Sequence, residues 1–452
     1  MAVHRDPGTI GLAAVRREAW RLAVPLIAAN LSVPLLGMVD TAVVGHLPRA
    51  ADLTAAALAA FLVSVVWFLF GFLRMGTTAL AAQAVGAGDP VMLQATAVRA
   101  LVTSLAIGGA LLFITWPLQI LGHLLFQPDA EVAAGFDSFL AIRLLGAPAA
   151  LGQFALTGWL LGRQDGRGPL VVALCANVLN GLLDVWFVFG MGLGLHAVAA
   201  ATSISEYAGL AVAACLAARH GLPGRAAVAA ALRDRPALAR LFRVNRDLFL
   251  RSCFLEASFI VFAVAAARLG ETFVAANAIL LTFFTASAWL LDGLAQACET
   301  MVGRATGARS ATGMHLAIRA SFEHGAVVAL LLTLLFALAG DWLIDLMTHH
   351  PAVRELARAH LPFIVALPLV SVWAFVLDGI FFGTGRADVL RNAMALILAL
   401  FVLTALVLVP LLGSTGLWLA FLLFLAGRGL VLALSFRWIG GSRTLAGSLL
   451  AG

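Results

Sequence analysis

Apolar runs of about twenty residues recur along the whole chain, each closed by a short cluster of glycine, proline or charged positions. That length lets one helix cross the hydrocarbon core of a bilayer. Twelve such runs are predicted as membrane-spanning helices, at roughly 19–44, 53–80, 93–116, 134–160, 168–189, 195–218, 246–268, 275–300, 315–339, 355–382, 389–411 and 415–438. Near the middle, Arg219 to Arg251 forms the long charged interruption and separates two halves of six spans. The halves are related. Gly-Trp-Leu-Leu-Gly at 158–162 returns as Gly-Ile-Phe-Phe-Gly at 379–383, an offset of 221, which also pairs Gly86 with Gly307, Phe126 with Met347, Val132 with Val353 and Gly192 with Gly413. The pattern predicts an all-α polytopic membrane protein: twelve transmembrane helices in two pseudo-symmetric six-helix lobes around a central cavity. The expected division is a lobe of residues 1–220, a basic cytoplasmic linker 221–245, and a lobe of residues 246–452.

Composition agrees with the pattern. Hydrophobic residues make up 62% and charged ones 12%, far from the balance of a soluble domain. The basic residues are all arginine, so no phosphate-loop or Schiff-base lysine exists. Arginines crowd the N-terminal tail (Arg5, Arg16, Arg17, Arg21) and the loops after spans 4 and 6, while the alternate loops are acidic or mixed. The positive-inside rule then puts both termini in the cytoplasm, which requires an even number of spans. The basic pI thus reports topology, and no nucleic-acid partner is expected. Cys175, Cys215, Cys253 and Cys298 lack metal-ligand spacing and read as small hydrophobes. No zinc-protease, serine-hydrolase or prenyl-diphosphate signature is present, His349-His350 reads as solvated, and no enzyme is expected.

Acids inside the spans are the candidate chemistry. Asp40 lies near the end of the first apolar run, where an ionised side chain costs about 2.5–3.5 kcal/mol on insertion scales. It either snorkels to the interface or faces a partner inside the bundle. In span 5, Asn177, Asn180 and Asp184 fall at i, i+3 and i+7, on one helical face. With Asp40 and Thr202 they offer either oxygen ligands for a proton or sodium ion, or interhelical hydrogen bonds with no further role. At the repeat offset Asp40 becomes Val261 and Asn180 becomes Phe401, so this polar set belongs to the first half alone. The second half has its own acids, Glu256, Asp292, Glu299 and Asp378; Asn177, Glu256, Asp292 and Asp378 are candidates for contacting substrate. Arg74, Arg143 and Arg428 are the fixed positive charges, and Glu206 and Glu299 are expected to pair with arginine. The bias favours cations. Pro25 and Pro34 weaken the helix that carries Asp40.

Val39-Asp40-Thr41-Ala42-Val43-Val44-Gly45-His46-Leu47, Leu73-Arg74-Met75-Gly76-Thr77-Thr78 followed by Ala82-Gln83-Ala84, and Leu-Asn-Gly-Leu-Leu-Asp-Val-Trp around Asn180 and Asp184 resemble the multidrug and toxic compound extrusion family, in its DinF-like branch. The resemblance runs from about residue 15 to 440. It implies a bacterial inner-membrane antiporter, monomeric and surrounded by lipid. Such a protein exports cationic amphipathic small molecules by alternating access, in exchange for protons or sodium, with no other cofactor. It also implies that Asp40 couples the exchange with Asn180, Asp184 and Thr202, and that helix 1 bends at Pro25. A lipid or lipid-linked precursor flippase of related fold is the alternative, and it would need a basic cavity.

Overall fold

The computed structural model describes residues 11–221 and 223–438; the terminal arginines Arg5 and Arg443, on which part of the topology rests, lie outside the described residues. Every regular element among them is helical: α1 (Leu12–Gly45), α2 (Ala50–Phe70), α3 (Phe72–Gly86), α4 (Pro90–Phe113), α5 (Thr115–Phe126), α6 (Ala130–Leu145), α7 (Ala147–Gly162), α8 (Arg167–Val185), α9 (Leu195–Ala218), α10 (Arg225–Arg233), α11 (Arg235–Ala267), α12 (Glu271–Gly307), α13 (Ala311–Met347), α14 (Pro351–Thr384) and α15 (Ala387–Leu434). Among the described residues, ten helical stretches are long and apolar enough to cross a membrane, and α6 with α7, bent by 43° about Gly146, forms an eleventh. Gly413, at φ 60° and ψ −131°, breaks α15. Unbroken, its 48 residues would reach about 72 Å, more than twice a bilayer core. It is therefore two spans, which makes twelve.

The 221-residue repeat appears in the backbone geometry. A Cβ on Gly158 would lie 2.4 Å from the Arg74 carbonyl oxygen, and one on Gly379 would lie 2.4 Å from that of Ala295, 221 residues further on in both cases. Gly162 over Thr78 (2.7 Å) and Gly383 over Glu299 (2.5 Å) repeat the relation. Only glycine lets two helix backbones approach so closely. Helix caps repeat as well: Asp89 accepts from Met92 N and Ser310 from Gly313 N. Gly192 and Gly413 both take positive φ.

The halves differ in continuity. The single helices α12, α13 and α14 correspond to α2–α3, α4–α5 and α6–α7, which break at Gly71, Ile114 and Gly146. The positions matching Gly71, Pro117 and Gly146 are Asp292, Leu338 and Leu367. The first half opens at Gly71 and Gly146, whereas α14 stays continuous even through Pro362 and Pro368.

Two compact units result. Ala28–Phe242 form one; the described residues from Arg243 onward, with those up to Ile27, form the other. The start of α1 is tied into the second unit by Arg16 Nε on Glu323 (2.7 Å), Arg304 on Glu18 (2.8 Å) and Ile27 against Gly293. α1 is helical through Pro25 and Pro34, and the division falls two residues after Pro25. The charged segment between the halves is docked on the first unit. Arg99 donates from Nε to the Ala231 carbonyl (2.8 Å), which lies in α10, and from Nη2 to Asp234 (2.8 Å), and Arg240 donates to Gln83 (3.0 Å).

Candidate functional site

In the first unit the end of α1 packs on α8 where Gly181 leaves room: a Cβ there would already touch Val39 at 3.7 Å. This approach brings Asp40 towards Asp184, and the two carboxyls act on each other electrostatically. Asp184 is fully buried and Asn180 is 1% exposed, as the i, i+3, i+7 spacing requires of a face turned inward. One residue past Asp184, α8 ends and widens into a π-helical turn, Trp186–Gly190, a distortion often found at functional sites.

Hydrogen bonds orient the amides around the pair. Asn180 donates from Nδ2 to Thr202 Oγ1 at 3.3 Å, and Thr202 donates in turn to the Val198 carbonyl at 3.1 Å. Asn177 donates to Ser32 Oγ at 2.8 Å, and so ties α8 to α1. Asp40 Oδ1, Asn180 Oδ1 and both carboxylate oxygens of Asp184 are enclosed with no donor on them. Buried acceptors in that condition are costly unless a proton, a water or a small cation satisfies them. The structure therefore brings together Asp40, Asn180, Asp184 and Thr202, with Asn177 one turn away.

A second layer of charge lies beside the pair. Arg143, 8% exposed on α6, interacts electrostatically with both carboxyls. It donates from Nη2 to Glu206 Oε1 at 3.0 Å, and Trp67 Nε1 donates to the same oxygen at 3.3 Å. Glu206 thus pairs with arginine as expected. The break at Gly146 makes this possible, since a Cβ there would sit 1.9 Å from Glu206 Oε2. Sequence reasoning counted Arg143 as a charge but had no means of placing it next to the acid pair. Its one signal was an arginine three residues before a Gly-Ala-Pro break.

The acids of the second half occupy separate settings. Asp378, 4% exposed, is held by Arg251 and Arg428, which both donate to Oδ2, Arg428 at 2.9 Å. Arg251 reads in the sequence as the end of the charged interruption; the structure instead buries it at 5% exposure. Asp292 accepts from Gln296 at 2.6 Å, and Glu256 is half-buried on α11. Positions equivalent to the first half's polar face carry an aromatic core: Phe401 packs with Phe421 and Phe424, and Phe262, next to Val261, packs with Trp418 and Phe421. Among the described residues, no three histidine, cysteine or acidic side chains gather as metal ligands.

Comparison with known proteins agrees with this geometry. A family model described as MatE matches the chain twice, over residues 25–186 and 248–411. The DNA damage-inducible protein F of Escherichia coli K12 is 41% identical over 423 residues, covering 93% of this chain and 92% of that protein. Among solved structures, a MATE protein in complex with MaD5 superposes with a TM-score of 0.84 at 19% identity, covering 97% of both chains. The outward-facing conformation of a multidrug resistance MATE family transporter superposes at 0.82 with 20% identity, covering 95% of this chain and 97% of that one. At those identities the solved structures speak for the fold, a twelve-helix membrane architecture.

Proposed function

The chain belongs to the MatE family of membrane transporters, and from that premise we propose that it is a secondary antiporter that expels organic cations in exchange for protons. The enclosed Asp40–Asp184 pair is the observation that carries this reading. Two interacting carboxyls titrate as a pair, with three charge states set by two, one or no protons. Fully protonated it is neutral and has little hold on a cation. With one or no proton it is an anionic site in a low-dielectric surround, where attraction to a cation is strong. Proton and cationic substrate then compete for one set of oxygens, and protons arriving from outside release cargo there. Asn180 and Thr202 hold the amide so that Asn180 Oδ1 stays free as an acceptor. Return of the emptied site to the cytoplasmic side follows alternating access between states of different affinity.

The multidrug description of one structural neighbour supports small organic substrates. Sodium is the alternative coupling ion, since the same oxygens suit it. A lipid-precursor flippase would need a cationic chamber for phosphate, whereas the cluster here holds Asp40, Asp184 and Glu206 against one guanidinium, Arg143.

Ethidium transport in proteoliposomes, driven by an imposed pH gradient or by an imposed sodium gradient, tests the proposal. The pH gradient should drive transport. Asp40→Asn should abolish it while the protein keeps its melting temperature, and full transport by that variant would refute the coupling role.

A further inference from the structure

A cavity of about 510 Å³ opens between α3, α4 and the segment that links the halves, with its whole lining inside the first unit. That volume lies within the range of small-molecule sites, about 300–1,000 Å³. Its inner wall is apolar: Leu80 of α3, Ala95 of α4 and Leu241 of α11. Leu80 and Leu241 are buried, whereas Val91, which also lines it, is 74% exposed and marks the mouth. Arg99, Arg240, Asp89 and Asp234 supply the polar lining. None of the lining residues belongs to the Asp40–Asp184 site.

The two acids of that lining are already engaged. Asp234 accepts from Arg99 Nη2 at 2.8 Å, and Asp89 caps α4 by accepting from Met92 N at 2.8 Å. The arginines of the linking segment are not balanced in this way. Residues 221–242 carry four of them, Arg225, Arg233, Arg235 and Arg240, against the single acid Asp234, and all four are exposed. Among the described residues none of the four is in an ion pair, and Arg240 donates to a neutral amide, Gln83 Oε1, at 3.0 Å. The same segment exposes the apolar side chains of Leu232 and Phe242. Exposed arginines interleaved with exposed apolar groups beside the ends of membrane spans are the pattern of a segment lying on an anionic lipid surface. The excess positive charge disfavours an organic cation here and favours an anion.

We propose that this cavity binds an anionic phospholipid of the adjoining leaflet, with the phosphate on Arg240 and an acyl chain in the cleft between α4 and the linking segment. A guanidinium meets phosphate oxygens through charge-assisted hydrogen bonds. The chain covers the apolar wall of Leu80, Ala95 and Leu241, so its burial adds to the affinity. Neither half of the site suffices alone: the wall without the arginine would take any lipid, and the arginine without the wall would take any anion. A lipid held there ties the linking segment to α3 and α4, in addition to the bonds that Arg99 makes to Ala231 and Asp234. The inference is independent of the antiport reading and of the coupling ion.

Thermal melting of the full chain in detergent tests this, with phosphatidylglycerol, phosphatidylcholine of the same acyl chains, or glycerol phosphate added. Phosphatidylglycerol should raise the melting temperature of the wild type by about 3 °C or more above phosphatidylcholine. Glycerol phosphate, which has the anionic head and no chain, should not. Arg240→Gln removes the charge and Ala95→Trp fills the cleft, and each should cut the difference between the two lipids to about a third or less. Arg240→Lys, which keeps the charge, should retain most of it. Equal melting of the wild type in the two lipids overturns the proposal, and so does a full response to phosphatidylglycerol in either Arg240→Gln or Ala95→Trp, since the lipid would then bind elsewhere. A response to glycerol phosphate equal to that to the lipid would show an anion site without a chain. Stabilisation by ethidium that Ala95→Trp abolishes, with none by phosphatidylglycerol, would assign the cavity to cationic cargo. Both results also overturn it. Should Ala95→Trp fail to fold, the wild-type comparison and Arg240→Gln still decide.

Discussion

Replacing Asp378 by asparagine leaves Arg251 and Arg428 buried together with no acid between them. The three side chains are 4–5% exposed, and both guanidiniums donate from Nη2 to one oxygen, Asp378 Oδ2. Those two nitrogens are therefore less than about 6 Å apart, and at an effective dielectric near 20 their charges repel by about 3 kcal/mol once the carboxylate is gone. Breaking a buried ion pair from one side typically costs about 3–5 kcal/mol, which agrees with that repulsion. For a unit of about 200 residues this is a fall in melting temperature on the order of 10 °C. The charge balance supplies the control. Arg428→Met leaves Arg251 and Asp378 as a neutral pair, although it forfeits the ring contacts of Arg428 with Phe375 and Phe424 at 5.7 and 5.9 Å. Its loss should be about half that of Asp378→Asn or less, and the double variant should melt above Asp378→Asn, since removing one arginine relieves the repulsion. Melting curves in detergent, read by intrinsic tryptophan fluorescence, rank the three variants. If Arg428→Met melts at or below Asp378→Asn, the triad is held by packing and the charge argument is wrong.

Glycines that allow backbone approach should tolerate no side chain. Gly158→Ala and Gly379→Ala should each lower stability by about 1–3 kcal/mol, because the new methyl meets a carbonyl oxygen at 2.4 Å, whereas Gly109→Ala, with nothing within 4 Å, should be neutral or gain up to about 1 kcal/mol. Thermal melting separates the two classes, and equal effects would show that helix propensity governs instead. Arg99→Ala removes the bonds to Ala231 and Asp234 that hold the central segment on α4, so trypsin should cut after Arg233 about tenfold faster than in wild type; unchanged cleavage would mean that the segment is held by other contacts. Gly413 sits at a positive φ that L side chains avoid, and Gly413→Ala should cost about 1–3 kcal/mol, with the melting curve as the check.

Legibility in the sequence followed the kind of contact involved. Span number and the 221-residue repeat could be read because apolar length and backbone-to-backbone glycine contacts are local demands, which leave a residue type at a set position, as Gly158 and Gly379 do. The breaks at Gly71 and Gly146 could not be read, since a glycine inside a membrane span is ordinary until a neighbour such as Glu206 is seen in the space it leaves. Nor could the assignment of residues 11–27 to the second unit, which depends on ion pairs such as Arg16–Glu323 across 307 residues of sequence. Asp40 and Asp184 stood out because an acid in an apolar run costs free energy wherever it lies, but their pairing needed the approach of Val39 to Gly181.

The repeat separates what folds the chain from what it does. At Gly158 and Gly162, matched by Gly379 and Gly383, backbones touch in both halves and the glycines are kept. Where side chains alone meet, each half has gone its own way. Asp40, Asn180 and Asp184 correspond to Val261, Phe401 and Ala405, while Arg251, Asp378 and Arg428 correspond to Asn30, Thr157 and Tyr207. A buried charge in one half is thus never matched by one at the equivalent place among these six. An interior that must stay packed can host one costly polar cluster only if its counterpart is closed by well-packed apolar groups, as the rings of Phe262, Phe401, Trp418 and Phe421 close the second half. The proposed coupling pair is therefore confined to the first half, while the second half buries its own charge as two arginines, Arg251 and Arg428, closed on one acid, Asp378.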